Sequence, residues 1–183
     1  FNDASRRFAD LMGIAVGNAT VKIAGAEFYE RGPVLITHWG LSGPAVIKLS
    51  AWAAEYLHTK QYTFTALVNW LGDKTEEDAR EFLQDCKSKR SKQKIAGNPL
   101  FGLPGRLWEK LASESEIASE KIWADASNKE INRLVEQLIR CPFHISGKTT
   151  FKEEFVTCGG VDLAEVDTET MQSKKFAKLF FAG

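Results

Sequence analysis

Apolar and polar positions alternate most clearly in "YTFTALVNWL", where Tyr62, Phe64, Ala66, Val68 and Trp70 fall on one side of an extended chain. Aromatic and branched residues at a period of two predict a strand. A similar alternation at Val21 and Ile23 predicts a strand that turns at Gly25, and Val34 to Thr37 reads as a short apolar strand. Pro44 to Leu57 is apolar almost all round and predicts a helix buried on most sides.

The period changes after Gly72. Ala79, Phe82, Leu83 and Cys86 recur at helical spacing, and Thr75 with Asp78 has the form of a capping box. A second helix is predicted from near Pro104, with Leu107, Trp108 and Leu111 on one face. A third follows Ser127, which pairs with Glu130 as a capping box. Its stripe is Ile131, Leu134, Val135, Leu138 and Ile139, and Pro142 ends it. The segments "CPFHISG" and "TTFKEEFVTCGG" then predict a hairpin around Gly147 and Lys148.

Strands at both ends and helices between them predict an α+β fold. A small antiparallel β-barrel is formed from both ends of the chain, with an inserted helical bundle. The expected divisions are 1–73 for the first barrel part with one buried helix, 74–140 for the helical subdomain, and 141–178 for the second barrel part.

Composition narrows the function classes. The formal net charge of the 183 residues is zero, so no global field draws the chain to nucleic acid or membrane. Cys86, Cys141 and Cys158 are far apart, which is the sparse usage expected of reduced thiols in a cytoplasmic protein. The three histidines are also scattered, so no metal site is predicted. No signal peptide or membrane span is evident. The start at Phe1 and the strand-like end "KLFFAG" lead to the expectation of a piece of a longer protein.

Two corners carry candidate chemistry. In "THWGLSGP", Thr37 and His38 precede Gly40, Ser42, Gly43 and Pro44. Pro44 suits a first helical turn, whose unpaired N–H groups favour an electron-rich group, and the glycines permit close approach to the backbone. His38 supplies a proton donor or acceptor. An ordinary strand-to-helix connection accounts for the same residues. In "VTCGGVD", Thr157 stands beside Gly159 and Gly160, and a bulge or hairpin end is the plain alternative. A basic stretch, "CKSKRSKQK", offers Lys87, Lys89, Arg90 and Lys92 as a surface for RNA phosphates, or as a solvated helix end.

Taken together, "GPVLITHWGLSGPAVIKLSAWAA" and "FVTCGGVDLAEVDTETMQSKKFAKLFFAG" resemble blocks of the HI0933-like flavoprotein family of NAD(P)/FAD-dependent oxidoreductases. Ile36 stands where the family commonly has Phe, and Lys178 where it has Gly; Ser173 and Lys174 match its S-K pair. The weaker "NPLFGLPGRLWEKL" also resembles a family segment.

The resemblance implies that this chain is the insert that covers the substrate in an FAD-dependent oxidoreductase. A strand at 179–183 would re-enter a missing FAD-binding domain of the same chain. The dinucleotide fingerprint would then lie before Phe1 and the isolated segment would be inactive. The resemblance implies FAD in the full-length protein, with NAD(P)H as an admissible electron donor. It places Thr37, Gly40, Ser42, Gly43, Thr157, Gly159 and Gly160 at the flavin or substrate pocket, and His38 as a catalytic candidate. The substrate is left open between a small molecule and ribosomal RNA, since family members have been associated with uridine reduction. The alternatives are an RNA-binding module of such an rRNA-modifying enzyme and a non-catalytic interaction domain.

Overall fold

A computed structural model describes residues 1–147 and 159–182. The chain begins with strands β1 (Ala15–Ile23) and β2 (Tyr29–Thr37) and the short return strand β3 (Gly40–Ser42). Helices α1 (Pro44–Trp52) and α2 (Ala54–Thr59) precede β4 (Thr63–Asn69). Helices α3 (Glu76–Lys89), α4 (Gly105–Glu114) and α5 (Asn128–Ile139) follow, and β5 (Cys141–Ser146) returns to the sheet. The sheet order is β3-β2-β1-β4-β5, and every neighbouring pair is antiparallel.

Alternation sets the inner face. Val21 and Ile23 of β1, Ala66 and Val68 of β4, and Phe143 and Ile145 of β5 are buried, while their neighbours face outward. The two edge strands would leave rows of unpaired backbone groups. The first four residues occupy that gap. Asp3 N–H donates to Trp39 O at 2.7 Å and Leu41 N–H to Phe1 O at 3.0 Å on the β3 side. Ala4 N–H donates to His144 O at 2.8 Å and Ser146 N–H to Asn2 O at 2.9 Å on the β5 side. The sheet is thereby closed into a barrel. No alternation in "FNDAS" announces this stave, because its role is carried by backbone groups.

The helices lie between β4 and β5 in sequence, yet those strands pair from Thr63 with Ser146 to Val68 with Cys141. Trp70 N–H donates to Leu138 O at 2.9 Å and holds the entrance of the helical segment against its exit. Both expected capping boxes form: Thr75 with Asp78 at α3 and Ser127 with Glu130 at α5. The apolar stripe Ile131, Leu134, Val135 and Leu138 is buried, and the core runs without a break from the barrel into the helices. Each fully buried Leu or Val adds about 1.5–3 kcal/mol to the driving force before entropy is subtracted.

Arg7 ties three parts together. Its guanidinium meets Glu114 of α4 at 3.1 Å, donates to Pro142 O of β5 at 2.5 Å and lies 4.9 Å from the Phe8 ring centre. Beside it, burial pushes the Cys141 thiol up to about 12, so this sulfur is a packed, protonated group.

Two expectations need correction. The helix expected over Pro44–Leu57 is broken at Ala53, where φ −93° and ψ 9° leave the α-helical path. It is also buried on one side rather than most: Lys48 is exposed and Trp52 is 74% exposed. Apolar composition all round was misleading because Trp52 finds no cover among the described residues. The second arm of the expected hairpin at Gly147–Lys148 lies outside the described residues. Beyond it, a 3-10 turn (Leu163–Glu165) leads to β6 (Val166–Asp167) and β7 (Gln172–Ser173), which form a separate two-stranded sheet. No helix among the described residues is long and apolar enough to cross a membrane.

The α5 cap makes a pH prediction. The Lys121 ammonium and the Ser127 N–H hold the Glu130 carboxyl down to about 2 from an ordinary 4.5. A depressed folded value gives stability that is present above 4.5 and lost as pH falls toward 2. Urea unfolding should therefore show a fall in stability across that window, and Glu130→Gln should flatten it. An equal fall in wild type and variant would remove Glu130 as the cause. At neutral pH, Ser127→Ala should cost about 1 kcal/mol in the same measurement.

Candidate functional site

The Thr37–Pro44 corner is a tight hairpin before it is a helix start. β2 and β3 pair from Leu35 with Ser42 to Thr37 with Gly40, and His38 and Trp39 form the tip. A direct strand-to-helix connection was expected; the return strand β3 intervenes. Thr37 is buried, and its hydroxyl is committed within the turn: it accepts from Gly40 N–H and donates to Gly40 O, both at 3.2 Å.

The two glycines are explained by the chain's own packing. A Cβ on Gly40 would lie 2.3 Å from Phe1 O, which belongs to the stave that closes the barrel. A Cβ on Gly43 would lie 2.7 Å from Pro33 O and 3.0 Å from Leu35 N, and Gly43 has φ +101°. The close backbone approach that these glycines permit is therefore used by β2 and by residues 1–3. Gly43 itself, without a side-chain cap, precedes Pro44 at the first position of α1.

What the corner leaves uncommitted is small and polar. His38 is exposed, with its ring 4.0 Å from that of Trp39 in an edge arrangement. The Ser42 side chain is half-buried and takes part in no hydrogen bond among the described residues. The first turn of α1, which follows Ser42 and Gly43, leaves N–H groups without intrahelical partners. This arrangement can hydrogen-bond a planar polar ligand at its edge.

Gly159 and Gly160 are exposed, with nothing within 4 Å of where a Cβ would stand. Among the described residues no backbone hydrogen bond joins them to the Thr37–Pro44 corner. Thr157 and Cys158 lie outside the described residues. Ser173 and Lys174 lie at β7: Ser173 N–H donates to Leu179 O, and Lys174 Nζ donates to Ala164 O at 3.2 Å.

The basic stretch at the end of α3 is partly spent. Lys87 Nζ donates to Ala126 O at 2.5 Å and stitches α3 to the loop before α5. Lys89 is paired with Asp85 at 2.9 Å, while Arg90 and Lys92 are exposed. A larger cationic concavity, not anticipated from the sequence, lies between α3 and α5. It has a volume of ≈ 520 Å³ and is lined by Arg80, Lys129, Arg133 and Arg140 among others. Its signal was present in the sequence as cations at helical spacing along α5. Among the described residues no group of three or more His, Cys, Asp or Glu side chains could hold a metal ion.

A family model described as the HI0933-like protein barrel and H2TH domain matches residues 2–156. The chain belongs to this family. The HI0933-like match takes in the closed barrel and the helices between β4 and β5. Two curated relatives carry the name ribosomal RNA dihydrouridine synthase. One, from Haemophilus influenzae, is 26% identical over 183 residues, which is 100% of this chain and 42% of the relative. The other, from Escherichia coli strain K12, is 30% identical over 178 residues, 94% of this chain and 40% of the relative. This HI0933-like chain thus spans about two fifths of the length of these relatives.

The corner geometry separates a packing role from a ligand role. Gly43→Ala should destabilise the HI0933-like barrel by about 2 kcal/mol or more in thermal or urea unfolding, from combined steric clash and backbone strain. Gly17→Ala, where nothing lies within 4 Å of an added Cβ, should be close to neutral. Equal effects would show that contact with β2 does not dictate glycine at 43.

Proposed function

We propose that this chain is the substrate-covering part of an FAD-dependent oxidoreductase that reduces uridine in ribosomal RNA. The observation that carries the reading is the likeness of nearly the whole chain to two relatives named for that RNA activity. The resemblance of the 32–54 and 155–183 segments to flavoprotein blocks supports the cofactor.

The corner's residues fit such a role. The flavin, when bound, supplies the hydride, and NAD(P)H is the expected source of its electrons. On this chain, His38 and Ser42 are the groups free to hold the edge of a flavin or of a uracil ring. The Trp39 ring packs edge-on beside His38 and limits the orientations its imidazole can take. Hydride addition to one carbon of the uracil double bond requires a proton at the other, and His38 is the candidate donor. Gly40 and Gly43 hold the hairpin against the barrel, so that His38 is presented on a fixed tip and Ser42 at its base beside α1.

The C-terminal segment supports a larger assembly. Leu163, Met171, Phe176, Leu179 and Phe180 are all exposed around β6 and β7. So concentrated an apolar surface is the mark of a docking face, and in this reading the FAD-binding domain of the same protein covers it.

The full-length parent should purify with a flavin absorption spectrum. Reduced without oxygen by NAD(P)H, it should return to the oxidised spectrum when ribosomal RNA is added. A colourless parent that takes up no FAD would refute the cofactor assignment, and a reduced flavin indifferent to RNA would refute the substrate. His38→Ala should lower RNA-dependent reoxidation about 100-fold while leaving the unfolding temperature unchanged. Unchanged reoxidation would remove His38 from the chemistry.

A further inference from the structure

The concavity between α3 and α5 gathers four cations on a chain whose formal net charge is zero. Along α5 and just past its end, Lys129, Asn132, Arg133, Glu136 and Arg140 line it. Their spacing of three, four and seven residues keeps them on one side of the helix. From α3, Glu76 and Arg80 complete the lining, one turn apart. Four cations therefore face two carboxylates. The remaining acidic residues of α3, Glu77, Asp78, Glu81 and Asp85, do not line the groove.

The cations are positioned rather than cancelled. Glu76 holds two guanidinium groups at once, Arg80 at 2.6 Å and Arg140 at 2.9 Å. Arg80 Nε also donates to Asn132 Oδ1 at 3.3 Å. One carboxylate thus fixes two like charges side by side and leaves a positive excess, with N–H donors still available on each fork. Arg133 is oriented by Glu116 from the loop after α4. Lys129, in the first turn of α5, is exposed and makes no ion pair among the described residues. A guanidinium already oriented by one carboxylate loses little further freedom when it binds a second anion.

We propose that this groove binds the phosphodiester backbone of the RNA substrate, with Lys129, Arg133, Arg80 and Arg140 as phosphate contacts. The assignment rests on the RNA reading above. It moves the RNA surface from the end of α3, where Lys87 is bonded to Ala126 O and Lys89 is paired with Asp85, to the groove between α3 and α5. Contacts of this kind position the RNA without reading its sequence. The groove would anchor the RNA on the helical part while the target base is presented elsewhere on the enzyme.

The test uses the full-length parent and in vitro transcribed ribosomal RNA, with binding followed at several salt concentrations. Lys129→Glu and the pair Lys129→Ala with Arg133→Gln should each weaken binding about fivefold or more at moderate salt. The double variant should reduce the slope of log affinity against log salt by about two, one for each cation removed. Lys129 is exposed and outside the ion pairs of the described residues, so its variant keeps the test interpretable if the Arg133 change harms folding. Arg90→Ala with Lys92→Ala serves as the comparison. Weakening by the groove variants alone supports the proposal. Weakening by the Arg90 and Lys92 variant alone overturns the groove but leaves the RNA reading intact. A parent that binds no RNA overturns both. Loss of a co-purifying protein with RNA binding unchanged assigns the groove to a protein partner and overturns the proposal.

Discussion

The fold depends on one constraint: β4 and β5 must pair although three helices separate them in sequence. The pairing from Thr63 with Ser146 to Val68 with Cys141 demands that the helical segment return its ends to the spacing of adjacent strands. Closing a long flexible loop costs only slowly more entropy as the loop lengthens, but strands gain nothing until it closes. The insert answers this by being folded itself. Its helices are capped at Thr75 and Ser127, share a buried face, and are stapled at the neck by the Trp70 N–H to Leu138 O bond. Arg7 adds a second clamp, reaching from the N-terminal segment to α4 and β5.

From that closure follows the geometry of the candidate site. The stave formed by residues 1–4 can bridge β3 and β5 only if Gly40 admits its backbone, and β2 can lie against the start of α1 only if Gly43 does. The glycines that attract attention as a ligand cradle are first of all hinges of the barrel. The candidate ligand groups are their neighbours: His38, which the hairpin lifts to its tip, and Ser42 at its base. This division explains how one short segment can combine packing glycines with a free imidazole: the first fix the position of the second.

Much of the architecture was legible because periodicity is a local signal. The strand at Tyr62–Trp70 and the helices announced by Thr75 and Ser127 follow from spacing and capping chemistry alone. The missed features are those in which sequence-distant parts meet. Nothing local marks "FNDAS" as a barrel stave, because its contribution is backbone hydrogen bonding to Trp39, Leu41, His144 and Ser146. The break at Ala53 was hidden by a continuous apolar composition. The α3–α5 groove was half visible, as cations at helical spacing on α5. Its other wall, Glu76 and Arg80, lies about fifty residues away in sequence, as the Arg80–Asn132 bond shows. At the corner, the sequence revealed which residue types converge but not that Thr37 would spend its hydroxyl on Gly40.

In the proposed enzyme a hairpin tip, an exposed apolar C-terminal segment and a cationic helical groove act together, covering a flavin while RNA is held. This claim is tested most directly by digesting ribosomal RNA to nucleosides after incubation with the full-length protein, FAD and NAD(P)H, and weighing them by mass spectrometry. The expected product is a uridine-derived nucleoside heavier by two hydrogen atoms, formed only when the reductant is present. Ribosomal RNA that stays unchanged while the same enzyme turns over a small-molecule acceptor would contradict it.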